Sequence, residues 1–185
     1  TTANFTGNEP VFANINPLFP RGTNPAVLAA FNPRFALFLQ AVNSSESLKA
    51  DIRAIDANGI KFENSSTLSE DGTSLDPRLH FDPTSKVIRM SDDYFIALRG
   101  SGTGVDGLTD ARRQLGEEIR VISHEVSHAL RSVAVRSEND QAWIDMQSSA
   151  KSAADISVYL NQRIDIGMRD EARAYIDNWN ALVNG

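Results

Sequence analysis

His124-Glu125-Val126-Ser127-His128 places two imidazoles four residues apart with a carboxylate beside the first. On a helix, positions i and i+4 share a face one turn apart, so both rings can reach one divalent cation. Glu125 lies about 100° round the helix from His124, near enough to meet a water on that cation without ligating it. A zinc ion there brings the pKa of such a water towards roughly 7 and polarises a carbonyl. Glu125 then takes the water's proton and passes it to the leaving amine. The pattern arises by chance in roughly two of a thousand chains of this composition, which weighs against a pair of ordinary surface histidines.

The element that must position these residues is a helix expected over about 110–135. With His124 at 0° and 100° per residue, Leu115, Ile119, Ile122, Val126, Ala129, Leu130 and Val133 fall between about 140° and 240°. The helix therefore has an apolar back and turns its histidines away from it. Glu117 and Arg131 share the histidine face, either lining a cleft or standing as solvated charges.

Catalytic zinc usually has three protein ligands. His80 is the only other histidine and sits far upstream. The metzincin continuation needs glycine at position 131 and histidine or aspartate at 134; Arg131 and Ala134 stand there, which excludes that class. What remains is a carboxylate on a downstream helix, as in gluzincins. Glu171 is the first candidate, with Asp165 and Asp170 next, while Glu138 and Asp140 read as caps of an intervening helix. Ala172, Ile176, Trp179 and Val183 form an apolar stripe beside Glu171, and Trp143 and Trp179 read as core. Tyr175, one turn after Glu171, is placed to donate a hydrogen bond to a developing oxyanion; Arg173 is the alternative, and packing or surface roles stay open for both.

Local resemblance extends this reading. His124-Glu125-Val126-Ser127-His128-Ala129-Leu130, followed by Glu171-Ala172-Arg173-Ala174, resembles the gluzincin clan of metallopeptidases. It departs from the thermolysin pattern, in which an E-x-x-x-D follows about twenty residues after the second histidine. Here 42 residues intervene and Tyr175 stands four after Glu171. That longer gap is more similar to the clostridial neurotoxin light chains and to small metallopeptidase domains of bacterial injected effectors and polymorphic toxins. The resemblance implies a zincin-like domain with zinc on His124, His128 and Glu171, catalysis by Glu125, and a secreted or translocated bacterial protein, a cytoplasmic one being the alternative. It also implies a substrate strand laid along an edge strand beside the active-site helix. Residues 86–91 are the candidate strand, with an interior position as the open alternative.

Around the motif the chain is expected to be α+β, mainly helical with a small antiparallel or mixed sheet. Residues 1–24, rich in Asn, Pro, Thr and Gly, read as an irregular segment before a single metallopeptidase domain at 25–185. Asn24-Pro25 and Asn32-Pro33 read as helix starts, the latter opening a helix to about Val42. A second helix is capped by Ser44 or Ser45 and stopped by Asn58-Gly59. Residues 60–63 form a strand. Residues 78–81 and 86–90 form a hairpin around Asp82-Pro83-Thr84-Ser85, with 64–77 as a loop and Gly100–Gly104 as a flexible connection. Further helices are expected over about 139–163 and 169–183.

Composition bounds the rest. With 185 residues, 41% of them hydrophobic, there is material for one sizeable core. The absence of cysteine excludes disulfides, thiolate zinc sites and thiol nucleophiles. A net charge of −6 opposes non-specific nucleic-acid binding, and no apolar run is long enough to span a membrane. The chain begins without methionine or a signal pattern, which suggests a mature or excised domain. The expectation is a monomeric zinc metalloendopeptidase acting on a protein or peptide, in an effector or toxin context. The competing readings are a non-catalytic interaction module with a structural or vestigial zinc site, and a zinc hydrolase of non-peptide amides.

Overall fold

Local signals start and stop the first elements. The structure, a computed structural model, describes residues 2–15, 33–65, 79–91, 94, 107–149 and 152–183. Helix α1 (Pro33–Ser44) opens on proline, whose missing N–H costs nothing in a first turn. Helix α2 (Glu46–Ala57) is capped by Ser45, whose hydroxyl accepts from Leu48 N–H at 3.3 Å. It ends at Asn58-Gly59, where Gly59 takes φ +73°. Strands β1 (Lys61–Ser65), β2 (Leu79–Asp82) and β3 (Val87–Ser91) follow. The turn between β2 and β3 is held by Asp82, which accepts from Thr84 N–H at 2.8 Å and pairs with Arg89 at 2.7 Å. The expected segments at 16–32, 66–78 and 95–106 lie outside the described residues.

The sheet is mixed, in the order β1-β3-β2. β3 pairs antiparallel with β2, as the hairpin predicts, and parallel with β1. Residues 86–91 are thus interior rather than the edge. β1 has filled the outer side of β3, and β2 is the strand left beside the long helix that follows. The fold is α+β and mostly helical.

Helix α3 (Gly107–Ser149) runs without interruption for about 64 Å and α4 (Ala153–Val183) returns antiparallel to it for about 46 Å. The breaks expected near 136–138 and 164–168 are absent. Glu138 pairs with Arg169 across the hairpin at 3.0 Å instead of capping a helix. Val135, Ala142 and Met146 pack with Tyr159 and Ile166, which carries both helices through. The real break follows Ser149. Ser152 and Asp155 form a reciprocal capping box there: Ser152 N–H donates to the Asp155 carboxylate at 2.9 Å, and Asp155 N–H to the Ser152 hydroxyl at 3.4 Å.

The main core lies between α1, α2, the sheet and the first half of α3. Phe38 stands at its centre, edge-on to Phe12 and Phe62 and stacked on Phe35, with centroids 5.2–5.7 Å apart. Residues 2–15 have little regular structure beyond a 3₁₀ turn at Pro10–Phe12, yet Phe5, Val11, Phe12 and Ile15 are buried in this core. Ile119, Ile122, Val126 and Ala129 bury the back of α3 as the wheel requires, with Leu115 and Leu130 partly buried, but Val133 is 77% exposed.

On α4 the buried face is not the predicted one. Ala174, Asn178 and Ala181 face α3, while Ile176, Trp179 (68% exposed) and Val183 face outward. Small residues let the two helices approach closely, and polar clamps fix them: Ser123 to Asn178 and Ser127 to Asp177, each at 2.7 Å. Trp143 is likewise exposed, its ring edge-on to Tyr159 at 5.7 Å.

Asp51 of α2 is half-buried near Asp177 of α4. Burial, and then the charge of Asp177, push its carboxyl up to about 6. A folded-state pKa above the unfolded value stabilises fully below about pH 4, and that stabilisation is lost as pH rises through 6. Asp51→Asn, which fixes the neutral form, is expected to raise stability at pH 7.5 by on the order of 1–2 kcal/mol after allowing for solvent screening. The gain should disappear at pH 4. Denaturant melts at the two pH values check this; equal gains at both would show that the carboxylate charge is not the cause.

Candidate metal centre

Residues 124–128 lie in the middle of α3, between the core contacts of Ile119 and Ile122 and the hairpin contacts of Val135 and Ala142. Helical spacing stacks the two imidazoles edge-on, with centroids 4.6 Å apart. Their Nε2 atoms are 3.1 Å from one another. The antiparallel return of α4 brings Glu171 over them. Its carboxylate oxygens stand 3.5 Å from His124 Nε2 and 3.4 Å from His128 Nε2. A tetrahedral zinc with bonds of about 2.0–2.1 Å separates its ligand atoms by about 3.3 Å. Here each imidazole meets a different oxygen of Glu171, Oε2 for His124 and Oε1 for His128, and with one donor atom per residue the three lie within 4.8 Å of one another.

Asp170, an alternative ligand on sequence grounds, takes a different place. Its carboxylate accepts from His128 Nδ1 at 2.7 Å, which turns Nε2 towards the triad. Arg131 in turn holds Asp170, through its carboxylate at 2.5 Å and its backbone carbonyl at 3.1 Å. Arg131 is thus part of the site's support, whereas Glu117 pairs with Arg120 at 3.0 Å. Burial pushes the His128 pKa down, but the hydrogen bond and charge of Asp170 outweigh it, with Glu125 and Glu171 adding, and the net shift is upward. His124 shifts the other way, by burial and the charge of His128, which exceed the pull of Glu171. His124 Nδ1 is buried without a hydrogen-bond partner among the described residues. The carboxylate of Glu171 faces both rings.

Glu125 is buried on the side facing the sheet. Phe81 N–H donates to its Oε2 at 2.7 Å. In the β2–β3 ladder Phe81 lies opposite Ile88, and its amide points away from β3 towards α3. β2 is therefore the edge strand alongside the histidine helix. A cavity of about 730 Å³ opens between β2, α3 and α4, lined by Phe81, His124, Glu125, His128, Glu171 and Tyr175 among others. Tyr175 lies beside His124, with ring centroids 5.4 Å apart. Arg173 does not line the cavity and sits 3.8 Å from Asp177. Asp165 lines a smaller hollow further along the hairpin.

His80, assigned no role from its position in the chain, lines the same cavity. Sequence reasoning yields neither the hold of Phe81 on Glu125 nor the support of Asp170. The second has a signal, a carboxylate directly before the best ligand candidate and about 100° from it on the helix. The first has none, because it depends on which strand is left at the edge. Compared with known protein families, curated proteins and solved structures, the chain matches none of them.

Proposed function

We propose that this chain is a zinc-dependent metallopeptidase of the zincin type that cleaves polypeptides. The observation carrying the proposal is the convergence of His124, His128 and Glu171 within 3.1–3.5 Å beside Glu125 at the wall of one open cleft. Structural zinc sites are closed by four ligands. Among the described residues this cluster has three and borders a cavity of about 730 Å³, which favours catalysis over a purely structural ion.

Bound there, zinc supplies Lewis acidity, polarising the scissile carbonyl and acidifying the attacking water. Asp170 fixes the His128 tautomer, leaving Nε2 as the ligand atom. Glu125 accepts the proton of the attacking water and delivers it to the leaving nitrogen. Tyr175 donates a hydrogen bond to the oxygen that gains charge. An extended peptide lies in the cleft between β2, α3 and α4.

Metal analysis after zinc loading tests the proposal. Wild type is expected to hold one zinc per chain, while His124→Ala and Glu171→Ala lose it. Asp170→Asn should keep zinc with affinity lower by about 10–100-fold. A wild-type chain without stoichiometric zinc, or Glu171→Ala binding as tightly as wild type, defeats this assignment. Cleavage of a peptide library, against a panel of small amides, separates a peptidase from a hydrolase of non-peptide amides.

A further inference from the structure

The cleft extends beyond the metal centre, and its charges are unevenly placed. Its acids, Glu125, Asp170 and Glu171, are all at the triad end. Its arginines are Arg120, Arg136 and Arg163. Arg120 is engaged by Glu117 at 3.0 Å. Arg136 and Arg163 have no carboxylate partner among the described residues, in a chain where Asp and Glu outnumber Lys and Arg by 24 to 18.

Their positions are related. Arg136 lies eight residues after His128 on α3, and Arg163 eight residues before Glu171 on α4. Because the helices are antiparallel, both steps run the same way along the hairpin, by about 12 Å. Each arm of the hairpin thus gives one metal-ligand candidate and, two turns further on, one cleft-lining arginine. The guanidinium of Arg163 is 6.0 Å from the centre of the Tyr159 ring, at the outer reach of a cation–π contact. The nearby Ser132 gives its hydroxyl donor to the carbonyl of Ala129, and Asn139 gives one of its two amide N–H donors to that of Val135, at 2.9 Å each. The charged donors lining this end are the two guanidiniums.

Guanidinium groups recognise carboxylates through paired, charge-assisted N–H donors. We propose that Arg136 and Arg163 form an anion subsite of the cleft, which takes a carboxylate of the substrate about 12 Å from the bond cleaved. This rests on the hydrolytic reading of the triad and adds a substrate class to it. At about 3.3 Å per residue in an extended peptide, the carboxylate stands three to four residues from the scissile bond. It belongs either to an Asp or Glu side chain or to the peptide's own C-terminus.

The test measures binding apart from turnover. Zinc-loaded Glu125→Gln and metal-free wild type are each titrated with two positional libraries of N-acetylated decapeptides, one C-amidated and one with a free C-terminus. A side-chain source appears in the amidated library as a preference of about 10-fold for Asp or Glu over Asn or Gln at one position. A terminal source appears only in the free library, as a requirement for a fixed distance from the C-terminus. Arg136→Gln and Arg163→Gln, both on exposed positions, should each reduce the preference by several-fold. The double variant should abolish it. Arg136→Glu/Arg163→Glu should turn it into a preference for Lys or Arg.

The subsite is overturned if neither library shows an acidic preference, or if the preference survives the double substitution. Cleavage of library peptides without acidic preference removes the subsite and leaves the peptidase reading intact. Arginine-dependent acidic binding in a chain that holds no zinc does the reverse.

Discussion

Replacing Glu125 by glutamine is expected to leave zinc content and thermal stability unchanged while peptide hydrolysis falls by on the order of 10²–10⁴-fold. The reason lies in how Glu125 is held. Its carboxylate is buried and accepts the Phe81 amide at 2.7 Å. Glutamine has the same shape, and its amide oxygen accepts the same N–H, so the link between α3 and β2 survives. The three ligand candidates are not touched. What glutamine cannot do is take a proton from water near neutral pH. Glu125→Ala is a poorer probe, because it leaves the Phe81 amide unsatisfied at a cost of about 1–3 kcal/mol and mixes stability with chemistry. The decisive measurement is the cleavage rate of zinc-loaded Glu125→Gln beside its zinc content. A variant that cleaves as fast as wild type with a full complement of zinc removes Glu125 from the reaction.

Much of this arrangement is legible in the amino-acid sequence, and the legible part is the local part. His124, Glu125 and His128 belong to one helical turn, so their common face follows from helix geometry alone. Ser45, Asn58-Gly59 and the Asp82 turn are likewise signals confined to a few residues. The approach of Glu171 needs two helices to meet. The chain shows a carboxylate on a downstream helix, but not that Asp170 serves His128 while Glu171 faces both rings.

The differences between expectation and fold have a common cause. On α4 the period is right and the buried face is wrong: large apolar residues outweigh alanines in a pattern, whereas close contact with α3 selects Ala174, Asn178 and Ala181. In the sheet, the hairpin is local, but the parallel pairing of β1 with β3 is not. That pairing decides which strand remains beside the cleft, and so which backbone amide holds Glu125. The helix breaks expected near 136–138 and 164–168 do not form, although Gly167 lies inside α4. Contacts of Val135, Ala142 and Met146 across the hairpin outweigh the roughly 1 kcal/mol that a helical glycine costs.

The largest loss of stability is expected from Glu118→Ala. Glu118 lies on α3 six residues before His124, and its carboxylate pairs with Arg34 of α1 at 2.5 Å. Both side chains are nearly closed off from solvent, at 3% and 9% exposure. Arg34 also lies over the Tyr94 ring at 4.3 Å. Removing one partner of such a pair leaves the other charge in a site with little water, at a cost of about 3–5 kcal/mol, more than a typical exposed pair contributes. For a chain of this size, that corresponds to a fall in Tm on the order of 10 °C. The effect should persist in 1 M salt, because a buried pair is screened little, whereas loss of the exposed Arg169–Glu138 pair should have little effect on Tm at either salt concentration. Replacing both partners by apolar residues of similar volume, Arg34→Met with Glu118→Leu, should recover part of the loss, since neither member of the pair then remains without the other. Melting all four chains without metal, at low and high salt, isolates this contribution from zinc binding. If Glu118→Ala melts with wild type, the ion pair does not anchor α1 to the helix that carries the histidines.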